Sequence, residues 1–174
     1  MHPFTELATR CVVLTSGLLD ETRTHVLAEL QESGATSLVK ALQALELQGA
    51  IVAVGMVAMF EAALQEALGS ENGFRETERL IESAGQPELR ARFTDVQLAV
   101  NVLKHGRGRS HNDLLARRDA LPFRVRAEDE FFEEGNLSEI ATLVRADDAF
   151  LHHCSETIDL VAAVVREARP DAWL

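Results

Sequence analysis

The chain has no tyrosine, one tryptophan and only two cysteines, and these shortages exclude several classes of protein. Aromatic residues make up 5% of the sequence, and nearly all of them are phenylalanine. A dedicated single-strand nucleic-acid binder stacks bases on exposed aromatic rings, so this composition disfavours one. Cys11 and Cys154 lie far apart in apolar helical patterns, which predicts two buried free thiols of a cytoplasmic protein rather than a disulfide.

Common catalytic and targeting signatures are also absent. The sequence has no Cys-x-x-Cys pair, His-Glu-x-x-His motif, phosphate loop, dinucleotide fingerprint or nucleophile elbow. The first residues, MHPFTELATR, lack a basic segment followed by an apolar core, so we expect no signal peptide. The longest uncharged run, Leu47 to Phe60, has fourteen residues, whereas a membrane span needs about twenty. This run predicts a buried helix, and we expect no membrane contact.

Apolar periodicity predicts an all-α fold: a single compact helical-bundle domain over residues 1–174 with a long N-terminal helix pair. The first helix is expected over residues 4–32, ended by Ser33 and a left-handed Gly34. The second runs from about residue 37 to 68 and stops at Gly69. The core face of the first helix is expected to contain Phe4, Leu7, Cys11, Leu14, Leu18, Val26 and Leu30.

The middle of the second helix, GAIVAVGMVAMF, is apolar almost all round, so other helices must surround it. Its small residues would let a neighbouring helix approach closely, either within the chain or across a dimer seam; they are Gly49, Ala50, Ala53 and Gly55. A small bundle has few helices with which to cover such a segment. We therefore expect a homodimer.

The remaining elements are also predicted to be helical, apart from one irregular segment. A third helix spans about residues 73–83, and a fourth begins after Gln86, with Pro87 in its first turn, and runs to residue 105. Ser110 and Asp113 form a capping box that predicts a short helix to about residue 118. Residues 120–136 are irregular, with a short hairpin as the alternative over 123–126. A last helix is expected from a cap at Asn136 to residue 167, with a break near 147–148.

The stretch NVLKHGRGRSHNDLLARR, residues 101–118, differs in charge from the rest of the chain. Between Lys104 and Arg126 there are seven basic and two acidic residues, a local net charge of +5, against −16 for the remainder and −11 overall. The overall charge disfavours general binding of nucleic acid or an anionic membrane. An anionic partner would therefore have to meet this patch. Alternatively, the acidic run over residues 128–134 folds back and neutralises it.

The same stretch contains groups suited to acid–base and phosphate chemistry. His105 and His111 carry imidazoles, which can act as base or acid, and Arg107 and Arg109 can stabilise a phosphate. Backbone amides at the start of the next helix, near Ser110, favour an anion, and together with Asn101 and Lys104 they suggest an anion-binding set. These are the groups that metal-independent RNA cleavage requires. In the alternative interpretation they are a solvated turn, with cations beside the negative end of a helix dipole.

A long N-terminal helical hairpin, followed by VNVLKHGRG at the end of a later helix, resembles the HEPN superfamily (higher eukaryotes and prokaryotes nucleotide-binding). Members are often dimeric; many are ribonucleases of toxin–antitoxin and antiphage systems, and others are non-catalytic binding modules. The family motif is an Arg, usually followed by a polar residue, with four to six residues before a His. Here three residues separate Arg107 from His111, one separates Arg109 from it, and six separate Lys104 from it.

The resemblance implies an HEPN-like protein that binds RNA or a nucleotide and, in its catalytic version, is a metal-independent endoribonuclease. The alternative is a non-enzymatic dimeric interaction module whose basic turn docks an acidic protein partner or its own acidic run.

The segment LHHCSE is a second group of metal-capable residues. Asp148, His152 and Glu156 share one helix face at four-residue steps, but a metal site would need a further ligand from another helix. We therefore expect these side chains to be ordinary surface and core residues, with no metal and no cofactor.

Overall fold

The computed structural model describes residues 2–174, and in this part of the chain the predicted all-α fold is confirmed. It contains six α-helices: α1 (Phe4–Glu32), α2 (Thr36–Leu68), α3 (Gly73–Ser83), α4 (Pro87–His105), α5 (Arg109–Leu115) and α6 (Asp148–Ala168). A single turn of 3-10 helix lies at Arg118–Ala120.

Helices α1 and α2 form a long antiparallel hairpin. Stacking of the Phe4 and Phe60 rings, with centroids 5.9 Å apart, and an ion pair of 2.9 Å between Arg23 Nη2 and Glu46 Oε1 align the two helices. The predicted end of α2 is confirmed, because Gly69 has φ +60° and its N–H caps the last turn. The predicted left-handed Gly34 is wrong: α1 ends in an extended Ser33 whose N–H donates to the Glu29 carbonyl.

The core lies around α2, which packs against α1, α3, α4 and α6. The largest completely buried side chains in it include Phe60, Phe93 and Phe150. By length and composition α2 could also span a membrane, although 39% of its most apolar window is buried against the other helices. A smaller apolar cluster holds the far half of the hairpin together and consists of Leu19, Val26, Leu42 and Leu45.

The predicted core face of α1 is largely wrong. Its buried apolar residues are Ala8, Val12, Leu19 and Val26, whereas Leu7, Cys11, Leu14 and Leu18 are exposed. The hydroxyl of Thr9 helps to set the rotation of α1, because it hydrogen-bonds to Ser155 and Asp159 of α6. Both cysteines are free, as predicted, but only Cys154 is buried.

The irregular segment is longer than predicted and covers residues 121–147. In place of a hairpin it has one isolated antiparallel bridge, between Val125 and Val144. The predicted helix start at Asn136 is wrong: α6 begins at Asp148, and the Asp147 side chain accepts a hydrogen bond from the Phe150 N–H at 3.1 Å. A side chain at the N-cap of α6 thus defines where regular structure resumes.

Candidate functional site

The basic turn, residues 101–118, joins α4 to α5 and the 3-10 turn through two glycines with positive φ. Helix α4 ends at His105, as predicted, because Gly106 has φ +73°, and Gly108 has φ +155° immediately before α5. These conformations favour glycine over other residues. The predicted capping box is wrong: α5 begins at Arg109 with Gly108 as its N-cap, so no side chain caps it.

Most of the predicted site residues lie on the surface of this turn. Asn101, Lys104, His105, Arg107 and Arg109 are exposed, and Arg109 has 95% of its side chain accessible. Within residues 2–174, no hydrogen bond or ion pair connects the side chains of Asn101, Lys104 or His105 to another side chain. The turn therefore presents these groups to solvent, without the mutual contacts of an assembled catalytic site.

His111 has a different environment from the exposed residues of the turn. Only 4% of the residue is exposed, and its Nε2 lies 2.8 Å from the carbonyl oxygen of Arg126. The imidazole thus attaches α5 to the irregular segment. Ser110, beside it, is half-buried and makes no capping bond.

The acidic run folds back over the basic turn. Arg107 forms an ion pair with Glu128, and Arg118 Nη1 lies 2.9 Å from Glu130 Oε2. Arg109 has only a longer contact within its own helix, 3.7 Å from its Nε to Asp113 Oδ2. Two of the cations that would meet an anionic ligand are therefore already paired with carboxylates of the same chain.

A buried ion pair fixes the acidic run in this position. The side chains of Arg126 and Glu139 are only 10% and 8% exposed, and Arg126 Nη1 lies 2.7 Å from Glu139 Oε1. Arg126 also donates to the carbonyl oxygens of Glu130, Ile140 and Thr142 at 2.7 to 2.9 Å. Glu139 in turn accepts from the N–H groups of Phe132 and Glu133. From the sequence alone, Arg126 belonged to the basic patch, and this pair was not predicted.

Carboxylates of the run are stabilised in their charged form. The N–H of Ala127 and the guanidinium of Arg118 hold the pKa of Glu130 below its usual value, and Arg145 does the same for Glu133. A carboxylate with a lowered folded-state pKa contributes stability at neutral pH that is lost as the pH falls through that pKa. The contacts of the acidic run are therefore intact at neutral pH and weaken in acid.

The second predicted cluster, LHHCSE, is divided between surface and core. Asp148 and His152 are exposed, and Glu156 Oε2 accepts a hydrogen bond from Arg92 at 2.9 Å. From residue 2 onwards, no three His, Cys, Asp or Glu side chains are grouped so that they could hold a metal ion.

Two residues of this cluster have strongly shifted pKa values: burial raises the pKa of the Cys154 thiol to about 12, and the His153 imidazole is shifted downwards. Burial, helped by the nearby Arg92 guanidinium, lowers the pKa of His153 to about 4. An unfolded chain takes up this proton near pH 6.5, so the free energy of unfolding should fall as the pH drops from 6.5 towards 4. We expect His153→Phe to flatten this decrease in thermal melts, and His152→Gln, at the exposed neighbour, to leave it unchanged. Equal slopes for His153→Phe and the wild type would contradict this assignment.

Of five surface cavities, one reaches the end of the basic turn, where Arg118 lines it together with Asp119 and Glu130. The other four are lined by residues outside the turn. The largest, about 740 Å³, lies between the two ends of the chain and is lined by Phe4, Leu7, Ala63 and Trp173 among others.

No family model, curated protein or solved structure matches this chain. The resemblance to the HEPN superfamily therefore stays a prediction from the motif region and the helical architecture.

Proposed function

We propose that this chain is a non-enzymatic helical interaction module, of HEPN-like type, whose basic turn is docked by its own acidic run. The observation that carries the proposal is the pairing of Arg107 with Glu128 and of Arg118 with Glu130. Exposed ion pairs are individually weak, but the buried Arg126–Glu139 pair holds the backbone that presents both carboxylates. The turn and the run thus largely compensate each other's charge, with five basic and one acidic residue in the turn and five acidic residues in the run.

The burial of His111 also supports a non-enzymatic module. General acid–base cleavage of RNA needs a proton acceptor and a proton donor beside the reacting phosphate. One of the two histidines of the turn is hydrogen-bonded to the Arg126 carbonyl, and none of the five surface cavities is lined by the other, His105. A net charge of −11 also repels a polyanion from the rest of the surface.

A second candidate function is the binding of RNA or a nucleotide by the exposed part of the turn. It is favoured by Lys104 and His105, which lie at the end of α4 without an ion-pair partner among the described side chains, and by Arg109, which is almost fully exposed. Asn101 would add an amide on the same helix face, one turn before His105. In its catalytic version, a metal-independent endoribonuclease, His105 would act as the base.

The double variant Arg107→Ala/Arg109→Ala distinguishes the two functions. For the interaction module we expect the wild type and the variant to show the same negligible binding of a short fluorescent RNA and of a nucleotide at low salt. Melting temperatures should agree within a few degrees, because exposed turn charges contribute about 0 to 1 kcal/mol each. Fluorescence anisotropy and thermal denaturation provide the two measurements.

A matched control removes two exposed arginines far from the turn, Arg79→Ala/Arg90→Ala, each of which also has a carboxylate neighbour. Salt-dependent binding by the wild type that is weakened by the turn variant, but not by this control, would overturn the interaction module and support the second candidate. RNA cleavage that His105→Ala abolishes while binding persists would support the catalytic version.

A further inference from the structure

The outer sides of α1 and α2 carry two apolar stripes, which we call the α1–α2 face. The stripe on α1 consists of Leu7, Cys11, Leu14 and Leu18, and the stripe on α2 of Ile51, Gly55, Ala58, Met59 and Ala62. Its large side chains are far from buried: Leu14 is 74%, Met59 64%, Ile51 61%, Leu18 59% and Leu7 50% exposed. Single exposed leucines are common on protein surfaces, whereas a contiguous apolar patch marks a site of interaction.

The two stripes lie side by side. Leu7 of α1 and Glu66 of α2 line the same groove, so these two positions face the same side of the molecule. Steps of three and four residues keep to one face of a helix. Such steps lead from Leu7 to Leu18 along α1 and from Glu66 back to Gly55 along α2. Because the hairpin is antiparallel, the stripes remain adjacent over this length.

The α1 stripe has the sequence pattern of a buried face. Its residues follow the three- and four-residue spacing typical of a helix packed on a partner, and it contains no charge. Within the chain, however, α1 packs through a different row that includes Ala8 and Val12. Glu6 and Arg10, which precede Leu7 and Cys11 in the sequence, pair with each other at 3.4 Å. The spacing of the α1 stripe is therefore typical of a buried helix face, but the stripe is exposed in a single copy of the chain.

The two stripes also differ in shape. Leucines form a ridge on α1, whereas on α2 the small residues Gly55 and Ala58 leave a shallow groove between the larger Ile51 and Met59. A Cβ added at Gly55 would meet nothing within 4 Å. A two-fold axis between the stripes places the ridge of each copy over the groove of the other, as an isologous contact requires. We propose that the α1–α2 face is a homodimer interface and that its occupant is a second copy of this chain.

The size of the face fits a dimer of moderate affinity. The twelve residues from Ile51 to Ala62 of α2 are about 18 Å long at about 1.5 Å per residue, and two helices are about 20 Å wide. The flat footprint is thus on the order of 400 Å², and side-chain relief raises the accessible area above it. Specific but weaker interfaces bury roughly 600 Å² per partner. An uncharged face also offers nothing to an acidic or basic partner, which favours self-association over a charged ligand.

This inference goes beyond the docking of the basic turn, because none of the residues of the face belongs to the turn or to the acidic run. The RNA-binding variants leave the face intact, and the variants below leave the turn intact, so failure of one proposal is distinguishable from failure of the other.

The test is the mass of the full-length chain by size-exclusion chromatography with light scattering, across micromolar concentrations in detergent-free buffer. We expect the wild type to have twice the mass of one chain, and Leu18→Glu and Ile51→Glu to have the mass of one. The matched control is Leu137→Glu, since Leu137 is also 59% exposed but lies in the irregular segment; it should remain dimeric. Circular dichroism checks that all variants are folded. We expect them to be, because the substituted side chains are exposed.

Labelling of Cys11 by a maleimide tests which surface is covered. Cys154 is buried, so the folded chain reacts at Cys11 alone. We expect labelling of the wild type to slow with rising protein concentration, by the factor by which the monomer is depleted, and labelling of Leu18→Glu to stay constant.

Three results would overturn the proposal: a monomeric wild type at the highest concentration, a dimer that survives both glutamate variants, or equal loss of the dimer in Leu137→Glu. If a monomeric wild type co-sediments with phosphatidylcholine vesicles, and Leu18→Glu does not, the face is a membrane surface instead.

Discussion

Arg126→Met should be among the most destabilising single substitutions in this chain. It leaves the Glu139 carboxylate, whose side chain is 8% exposed, without its cation in a poorly solvated site. Removing one partner of a buried ion pair typically costs about 3 to 5 kcal/mol. For a chain of this size, that corresponds to a melting temperature lower by roughly 6 to 20 °C. Thermal denaturation at neutral pH measures the effect, and limited proteolysis should locate the first cleavages within residues 121–147.

Two controls separate the buried pair from charge loss in general. Arg118→Ala removes a half-exposed arginine that is paired with Glu130, and this should cost at most about 1 kcal/mol. The double variant Arg126→Met/Glu139→Met removes both charges, so it should be more stable than Arg126→Met alone. An Arg126→Met protein that melts with the wild type and resists protease would show that this pair does not hold the segment.

Helix ends were predictable from sequence where one local signal determines them. Gly69 adopts the left-handed conformation that ends α2, and Pro87 occupies the first turn of α4. Both effects depend on the backbone preferences of a single residue. Gly34 carried the same signal, but Ser33 leaves the helix in an extended conformation before it. A glycine after an apolar helical pattern therefore marks the helix end reliably only when the glycine itself is the capping residue in the left-handed conformation.

The irregular segment could not be predicted, because its stabilising contacts join residues far apart in sequence. Ile140, Leu143 and Val144 have the spacing of a helix face, yet they lie in non-helical backbone. Arg126 takes three backbone carbonyls of this region as acceptors. The hydrogen bonds of Arg126 cannot be predicted from apolar periodicity, because periodicity depends only on residues that are close together within one helix or strand.

The candidate site was predicted in its charge but not in its geometry. An excess of cations next to an excess of anions indicated that the acidic run could fold back, and the pairing of Arg107 with Glu128 agrees with that alternative. The burial of His111 depends on the carbonyl of Arg126, fifteen residues later in the chain. Residue type alone could not distinguish this structural histidine from the exposed His105.

Close packing of α2 against the irregular segment has a direct consequence at Gly49. The sequence pattern indicated that a helix approaches here, and the structure places the backbone of Ala146 against this position. A Cβ at residue 49 would overlap the carbonyl oxygen of Ala146. That carbonyl belongs to the segment immediately before the N-cap of α6, so it cannot move without shifting the start of the helix.

We therefore expect Gly49→Ala to be destabilising, although alanine favours a helix interior over glycine by about 1 kcal/mol. Overpacking against a backbone that cannot yield costs about 1 to 3 kcal/mol. Gly17→Ala in α1 is the matched control, because a Cβ there meets nothing within 4 Å and only the helix preference remains; it should stabilise by up to about 1 kcal/mol. Urea denaturation at one fixed protein concentration compares the two, since self-association makes stability depend on concentration. Opposite signs for the two glycines are the expected result. A Gly49→Ala protein as stable as Gly17→Ala would mean that the Ala146 backbone yields to a methyl group, and that α2 is not held against the segment before α6.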